Sequence, residues 1–485
     1  MINRLYNINR TKVKRILILI LILLPFLSSA QSCNCSDNFK SLVDKIKNNY
    51  VGYKDKVNAS NQKQFTVFTD SLKEIAKLSS KMNCYDICAE WLSFFKDEHI
   101  GLSFTPGKAT KEEVNDFFST TEKTSWNEKT LDAYLLRNQK NLDNIEGYWT
   151  YAPDTYKIGI VKDSIRNEFV GFIVRTNVPN WENQQVKLRI KKIKDKYHLI
   201  YFRGIDHGKK FPWLVVKKDS LELGYFGVWY KSKFFTNKYE PRTLVKKSLS
   251  PSFKVLDKET NLLVMPSFAF KYKKEVDSLL EKNKELLKTS KHLIIDIRNN
   301  SGGLTSTFEQ VLPYIYTNPI YTDGGVVWAT PDNIKNGYDT DISGFPEQTQ
   351  KKFREETEKL KAHVGEFYPL YEGDTIEFSQ VLKNPQRVSV LMNRGSASAA
   401  EHFILRAEQS KKVTLFGQNS AGAIDYTEIV SGKIPCSYFT VQYPAFRSDR
   451  IEKRPLNNIG ITPDIVIPHH TPDWVEFVRT YKTAN

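Results

Sequence analysis

Residues 387–403 read "RVSVLMNRGSASAAEHF", an apolar, β-branched run that breaks at Asn393–Gly395 and resumes with helical spacing through Ser410. Strand, tight turn and helix follow one another within this stretch. Upstream, "HLIIDIRNNSGG" (292–303) is a buried strand ending in a glycine pair, and "VTLFG" (413–417) is a further strand downstream. Strand, helix and strand in that order form the βαβ unit of a largely parallel sheet, so the region from about Pro251 onward is α/β. Before the first of these strands, Val276, Leu279, Leu280, Leu286 and Leu287 place an apolar stripe on one helix. Sites in parallel sheets collect at the carboxyl ends of the strands, where both "NNSGG" and "NRGSAS" lie.

Working outward, residues 36–95 repeat apolar positions at three and four, as in "FKSLVDKIKNNY" and "YDICAEWLSFF", and predict a helical cap. A polar, helically spaced lead-in near 111–142 follows "DEHIGLSF". From Gly147 the texture changes to short alternating segments separated by turn residues, which predicts an antiparallel sheet, a small barrel or sandwich. The expected organisation is a leader at 1–30, a helical cap at 31–105, a β-rich middle domain at 106–250 and an α/β domain at 251–485.

The leader reading rests on Arg4, Arg10, Lys12, Lys14 and Arg15 ahead of the apolar run Ile16–Leu24, then Pro25 and the small residues Ser28, Ser29 and Ala30. A basic segment, an apolar segment too short to span a bilayer comfortably and a small-residue cleavage site make a signal peptide cut after Ala30. The alternative is an uncleaved anchor. The expectation is therefore an exported protein, periplasmic or extracellular in a bacterium, with no stable membrane span once the leader is gone. Cleavage removes five Lys/Arg and no acid, lowering the net charge from +16 to +11. The remaining basic residues are scattered among acids and apolar positions, and no nucleic-acid motif accompanies them, so nucleic acid is excluded as the expected partner.

Export makes disulfides the expected state of the close pairs Cys33/Cys35 and Cys84/Cys88, with bridges running between the pairs and Cys436 left over as a buried strand residue. Four cysteines allow three connectivities. A zinc site is the alternative, but the spacing lacks the usual ligand pattern and only His99 is near. No metal site, phosphate loop or cofactor motif is evident: the glycines of "NNSGG" lack the Lys-Ser/Thr of a P-loop, and His469–His470 are adjacent, so they point apart on a strand.

Ser398 falls where the helix begins, and unpaired backbone N–H groups at a helix start favour developing negative charge. Gly302 and Gly303 add N–H groups that can approach a substrate closely. The plainer reading is that Ser396 or Ser398 caps the helix. As a nucleophile, Ser398 needs a Lys or His to take its proton.

"LIIDIRNNSGG", "NRGSASAAEHF", "LFGQNSAG" and "IGITPDIVI", in this order, resemble the tail-specific protease superfamily, which includes C-terminal processing peptidases and the tricorn protease core. The resemblance covers about residues 251–470 and implies a largely parallel-sheet peptidase core of the ClpP/crotonase type. It implies Ser398 as nucleophile and the N–H groups of Ala399 and of Gly302 or Gly303 as the oxyanion site. Many relatives carry a PDZ domain where this chain has its β-rich middle, which shows no carboxylate-binding loop of that kind. The processing peptidases use a lysine 25 residues beyond the serine, a position held here by Ala423, so the Ser–Lys dyad is absent. Tricorn-like members use a histidine ahead of the core, and "KDEHIGL" supplies His99, an imidazole suited to general-base work near neutral pH. His402, one turn into the serine's own helix, is the rival base. The glutamate that tricorn-like members place before "GxxPD" is Asn457 here, leaving Asn457 and Asp425 as candidates to orient His99. Asp97, Glu98 and Glu428 are further acids that could take this part, and the sequence does not choose among them, while Glu401 is read as serving the fold.

The resulting expectation is an exported serine peptidase acting on a peptide or protein. Its rival is a catalytically inactive protein of the same fold that binds peptides or another ligand.

Overall fold

The computed structural model describes residues 33–151, 155–194, 196–212, 214–223, 226–232, 250–468, 471 and 473–481. The leader and His469–His470 lie outside them. Three large sheets organise the described chain, beside a two-stranded ribbon of Ile320–Thr322 and Asp374–Ile376.

The six-stranded sheet runs Ser252–Val255, Thr260–Val264, His292–Asp296, Arg387–Met392, Val413–Gly417 and Ile465–Val466 in spatial order. Only the first pairing is antiparallel. His292–Asp296 is buried at every position, as a strand covered on both faces must be. Leu293 and Ile295 pack on one face with Val276, Leu280, Phe403 and Ile404 of the neighbouring helices. Ile294 packs on the other with Leu391, Phe416 and Val478. The apolar stripe expected on one helix is divided between two, Lys273–Lys282 and Lys284–Thr289. They meet at Asn283, whose side-chain amide donates to the Leu279 carbonyl at 2.8 Å and competes with the helical ladder. Leu286 consequently points outward, 41% exposed.

A second sheet joins distant parts of the sequence: Gly101–Phe104, Phe439–Ser448, Gly325–Trp328 and Phe367–Tyr371 in order, with Tyr426–Lys433 paired to Phe439–Ser448. The helices Cys35–Asn49, Gln62–Leu78 and Cys84–Ser93 pack on this sheet. Phe39, Ile46, Trp91 and Phe95 share one core with Val441, Tyr443 and Ala445. Burial of Trp91 and Phe95, each 0% exposed, therefore ties the helical segment to the α/β region rather than closing a separate cap.

Two disulfides reinforce that attachment. Cys35 pairs with Cys84, a bridge between the two close pairs. The second bridge corrects the sequence expectation: Cys33 pairs with Cys436, and the thiol left over is Cys88, buried. Cys33 and Cys436 are 403 residues apart, and the shared sheet core is what brings their Cα atoms to 4.7 Å.

The middle region forms one nine-stranded antiparallel sheet, from Lys209–Lys210 through Lys196–Phe202, Val186–Ile193, Glu168–Thr176, Tyr156–Asp163, Gly147–Tyr151, Val228–Lys231 and Ser220–Leu223 to Leu214–Val216. Its two edge strands are consecutive in the chain. Three residues separate Lys210 from Leu214, a span of at most ~14 Å, so the sheet curls into an open barrel rather than a two-sheet sandwich. Trp149, Ile158, Leu188, Leu199 and Trp229 fill one face. The helix Glu128–Arg137 covers the other through Leu131 and Leu135. Among the described residues no helix is long and apolar enough to cross a membrane.

Candidate active site

The loops that follow His292–Asp296 and Arg387–Met392 are fastened to each other at the carboxyl edge of the six-stranded sheet. Asn393 Oδ1 accepts from the N–H of Asn299 at 2.9 Å and of Gly395 at 3.0 Å, and its amide donates to Asn299 Oδ1 at 3.0 Å. The Ser396 hydroxyl, fully buried, donates to the Ile297 carbonyl at 2.9 Å and accepts from Asn393 N–H at 3.1 Å. Ser396 is thereby committed to the scaffold.

Ser398 is half-buried and opens the helix Ala399–Ala407 with φ 55° and ψ −119°. A non-glycine residue held there costs about 1–3 kcal/mol, a strain that concentrates at functional sites. Glu401 holds it in place. That carboxylate, 0% exposed, accepts from Ser398 N–H at 3.1 Å and Ala423 N–H at 2.8 Å through Oε2. Through Oε1 it accepts from the Ser420 hydroxyl at 2.6 Å and Gly422 N–H at 2.8 Å. Burial pushes the Glu401 carboxyl above its ordinary range, against the four hydrogen bonds that favour its charged form. One side chain thus locks the serine turn to the "NSAG" loop.

Gly302 and Gly303 lie against this turn with φ +98° and +138°. A Cβ on Gly302 would stand 2.8 Å from the Ala397 carbonyl oxygen and 2.9 Å from both Ala399 N and Ser398 Cβ. Only glycine permits so close an approach. The oxyanion expectation needs one correction, because Gly302 N–H is engaged by Asn300 Oδ1 at 2.9 Å. Ala399 N–H, the first of its helix, has no intrahelical partner to find.

His99 sits just before the strand Gly101–Phe104 and is half-buried. Its Nδ1 lies 2.8 Å from the Tyr426 carbonyl oxygen. A carbonyl can only accept, so Nδ1 carries the proton and Nε2 presents its lone pair, the tautomer a general base requires. Asp97 fixes the backbone beneath, its Oδ1 accepting from His99 N–H at 2.9 Å and its Oδ2 from the Tyr50 hydroxyl at 2.7 Å.

The two residues expected to orient the His99 ring act elsewhere. Asp425, 1% exposed, accepts from Arg450 and from the N–H groups of Leu456 and Asn457 at 3.0, 2.9 and 2.8 Å. The amide of Asn457 donates to the Lys96 carbonyl at 3.0 Å, as does Asn458 at 2.6 Å. Asn457 therefore steadies the loop that carries His99. His402 is half-buried, and burial pushes its imidazole down to about 4, with Arg406 and Arg450 adding to the shift.

A cleft of about 730 Å³ opens at this edge. His99 and Glu98 line it from one side, and Ser301, Ala397, Ala421 and Ala423 from the fastened loops. The third wall is the middle sheet, including Arg189, Lys191 and His198. Two features escaped the sequence: the Tyr426 carbonyl, a backbone acceptor that no motif marks, and the part taken by the middle sheet. Among the described residues no group of three or more His, Cys, Asp or Glu could hold a metal ion.

With this geometry in view, residues 260–467 match the model of peptidase family S41. That stretch is similar to the core of the tail-specific protease superfamily. The chain is also similar to three solved structures. A putative peptidase from Parabacteroides merdae ATCC 43184 is 14% identical over 91% of this chain and 92% of that chain, with a TM-score of 0.41. Mature CPAF complexed with lactacystin is 13% identical over 90% and 94%, with a TM-score of 0.49. The photosystem II D1 C-terminal processing protease is 12% identical over 91% and 93%, with a TM-score of 0.38. No curated protein matches the chain. The S41 core has the fold of a serine peptidase, with peptides or proteins as the substrates its family implies.

Proposed function

We propose that this S41 protein is an exported serine peptidase in which Ser398 is the nucleophile and His99 the general base. The observation that carries the reading is the tautomer of His99: with Nδ1–H donated to the Tyr426 carbonyl, Nε2 is the nitrogen left to act in a cleft lined by His99 and by Ala397, the neighbour of Ser398. Ser398 Oγ attacks the peptide carbonyl as Nε2 takes its proton, and the carbonyl electrons move to the oxygen. N–H groups of Ala399 and Gly303 receive that oxyanion. Collapse of the intermediate expels the amine, which takes the proton from Nε2, and water then hydrolyses the acyl-enzyme with His99 again as base. The Tyr426 carbonyl steadies the imidazolium through the Nδ1–H bond, standing where other members use a carboxylate. The leader and the bridges Cys33–Cys436 and Cys35–Cys84 support export.

Ala423 and Asn457, at the positions where relatives place a lysine and a glutamate, favour a second reading, a peptide-binding protein on the same fold. Hydrolysis of a quenched fluorogenic peptide library by the mature protein separates the two. The peptidase reading expects turnover that Ser398→Ala abolishes; binding without turnover establishes the second.

A further inference from the structure

The wall that the middle sheet gives the cleft carries a chemical bias. In the pairing of Val186–Ile193 with Lys196–Phe202, Lys191 stands opposite His198 and Arg189 opposite Ile200. These four side chains share one face of the sheet, because positions two apart on a strand lie on the same side. That face looks into the cleft, while Leu188, Ile190 and Leu199 belong to the sheet's own core. Arg189 is neutralised by ion pairs with Glu122 and Glu168. Lys191 is exposed, and among the described residues no ion pair holds it. Across the cleft, Arg394 is exposed, its guanidinium 3.5 Å from the Ile459 carbonyl and likewise without a carboxylate among the described residues. Glu98 and Glu168 are the acids in the lining; Glu168 is taken by Arg189, and Glu98 is held by no ion pair among the described residues. Two cations without ion pairs, against one such acid, thus flank a cleft of the size that takes small ligands and short peptides, one from each wall.

Resting on the peptidase reading above, we propose that the middle sheet is the specificity wall of the catalytic cleft and that Lys191 and Arg394 select peptides bearing acidic side chains. Charge placed at the mouth of a low-dielectric cleft attracts and orients a complementary ligand even where each exposed pair contributes little by itself. The middle domain then does for this chain what a separate recognition module does elsewhere.

The test is binding rather than turnover, so that it stands apart from the assignment of Ser398. Fluorescence anisotropy of the Ser398→Ala protein is measured with a fluorescein-labelled, C-terminally amidated hexapeptide carrying two central glutamates, and with its glutamine counterpart. Expected is about fivefold tighter binding of the glutamate peptide at low salt, shrinking towards parity in 1 M NaCl. In the Lys191→Gln/Arg394→Gln variant, folded by its thermal midpoint, the preference disappears. Equal or absent binding of the two peptides overturns the proposal. So does a preference that survives the double substitution. Absence of turnover by the wild type, with the binding preference intact in the Ser398→Ala protein, would overturn the catalytic reading and leave this one standing.

Discussion

At Ser398 the backbone is held in a left-handed conformation that strains any residue other than glycine. With φ at 55°, glycine is the residue that would rest there most easily. Ser398→Gly is therefore expected to be about 1 kcal/mol more stable than Ser398→Ala in urea denaturation, although both lack the hydroxyl. Equal stabilities would mean the turn is unstrained. Glu401 is the counterweight: Glu401→Ala leaves four donors without an acceptor in a buried site and should cost about 3 kcal/mol or more by the same measurement. The residue scale is also where the sequence was most and least informative. Ser398, Gly303 and His99 could be proposed from the sequence because the chemistry asked of them resides in side-chain type, glycine and short spacing. The Tyr426 carbonyl is not, since every residue has a carbonyl. Nor does the pattern reveal that Asn300 takes the N–H of Gly302, or that Asp425 is committed to Arg450.

At the scale of elements, the strands His292–Asp296 and Arg387–Met392 could be read because parallel strands buried on both faces are continuous apolar runs followed by turn residues. The five-stranded sheet could not. Its strands come from 101–104, 325–328, 367–371, 426–433 and 439–448, and pairing across such distances leaves no local signature. The same non-local packing misled the cysteine reading, for Cys33 finds Cys436 only once that sheet exists. Closing so long a loop, the Cys33–Cys436 bridge should contribute about 4 kcal/mol; Cys33→Ser/Cys436→Ser is expected to lower the urea midpoint markedly, whereas Cys88→Ser, at a thiol outside both bridges, should move it far less. Buried histidines give the elements a pH response. His292, on a core strand with Nε2 2.9 Å from the Ser389 hydroxyl, is pushed down to about 4 by burial, and His207 in the middle domain to about 3. An unfolded imidazole titrates near 6.5, so between about pH 6.5 and 4 the unfolded chain binds protons that the folded chain refuses. The stability this contributes is complete above about pH 6.5 and is lost as the pH falls. A decrease of about 5 kcal/mol between pH 7 and 4.5, falling by about half in His292→Asn, is the expected result of urea titrations at the two pH values.

For the whole molecule, the catalytic assignment depends on parts that no single segment supplies. The proposed base comes from residue 99, its carbonyl partner from residue 426, the proposed nucleophile from residue 398, and one wall of the cleft from residues 189–198. Packing of the helical segment on the second sheet, with Gly101–Phe104 paired to Phe439–Ser448, places His99 in the lining of the cleft. The measurement that tests this most directly is reaction of the mature protein with a fluorophosphonate, followed by intact mass and peptide mapping of the adduct. The account predicts one adduct, on Ser398, in the wild type and none in His99→Gln or Ser398→Ala. A folded wild type that takes no adduct, or a His99→Gln variant labelled as fast as wild type, would contradict it.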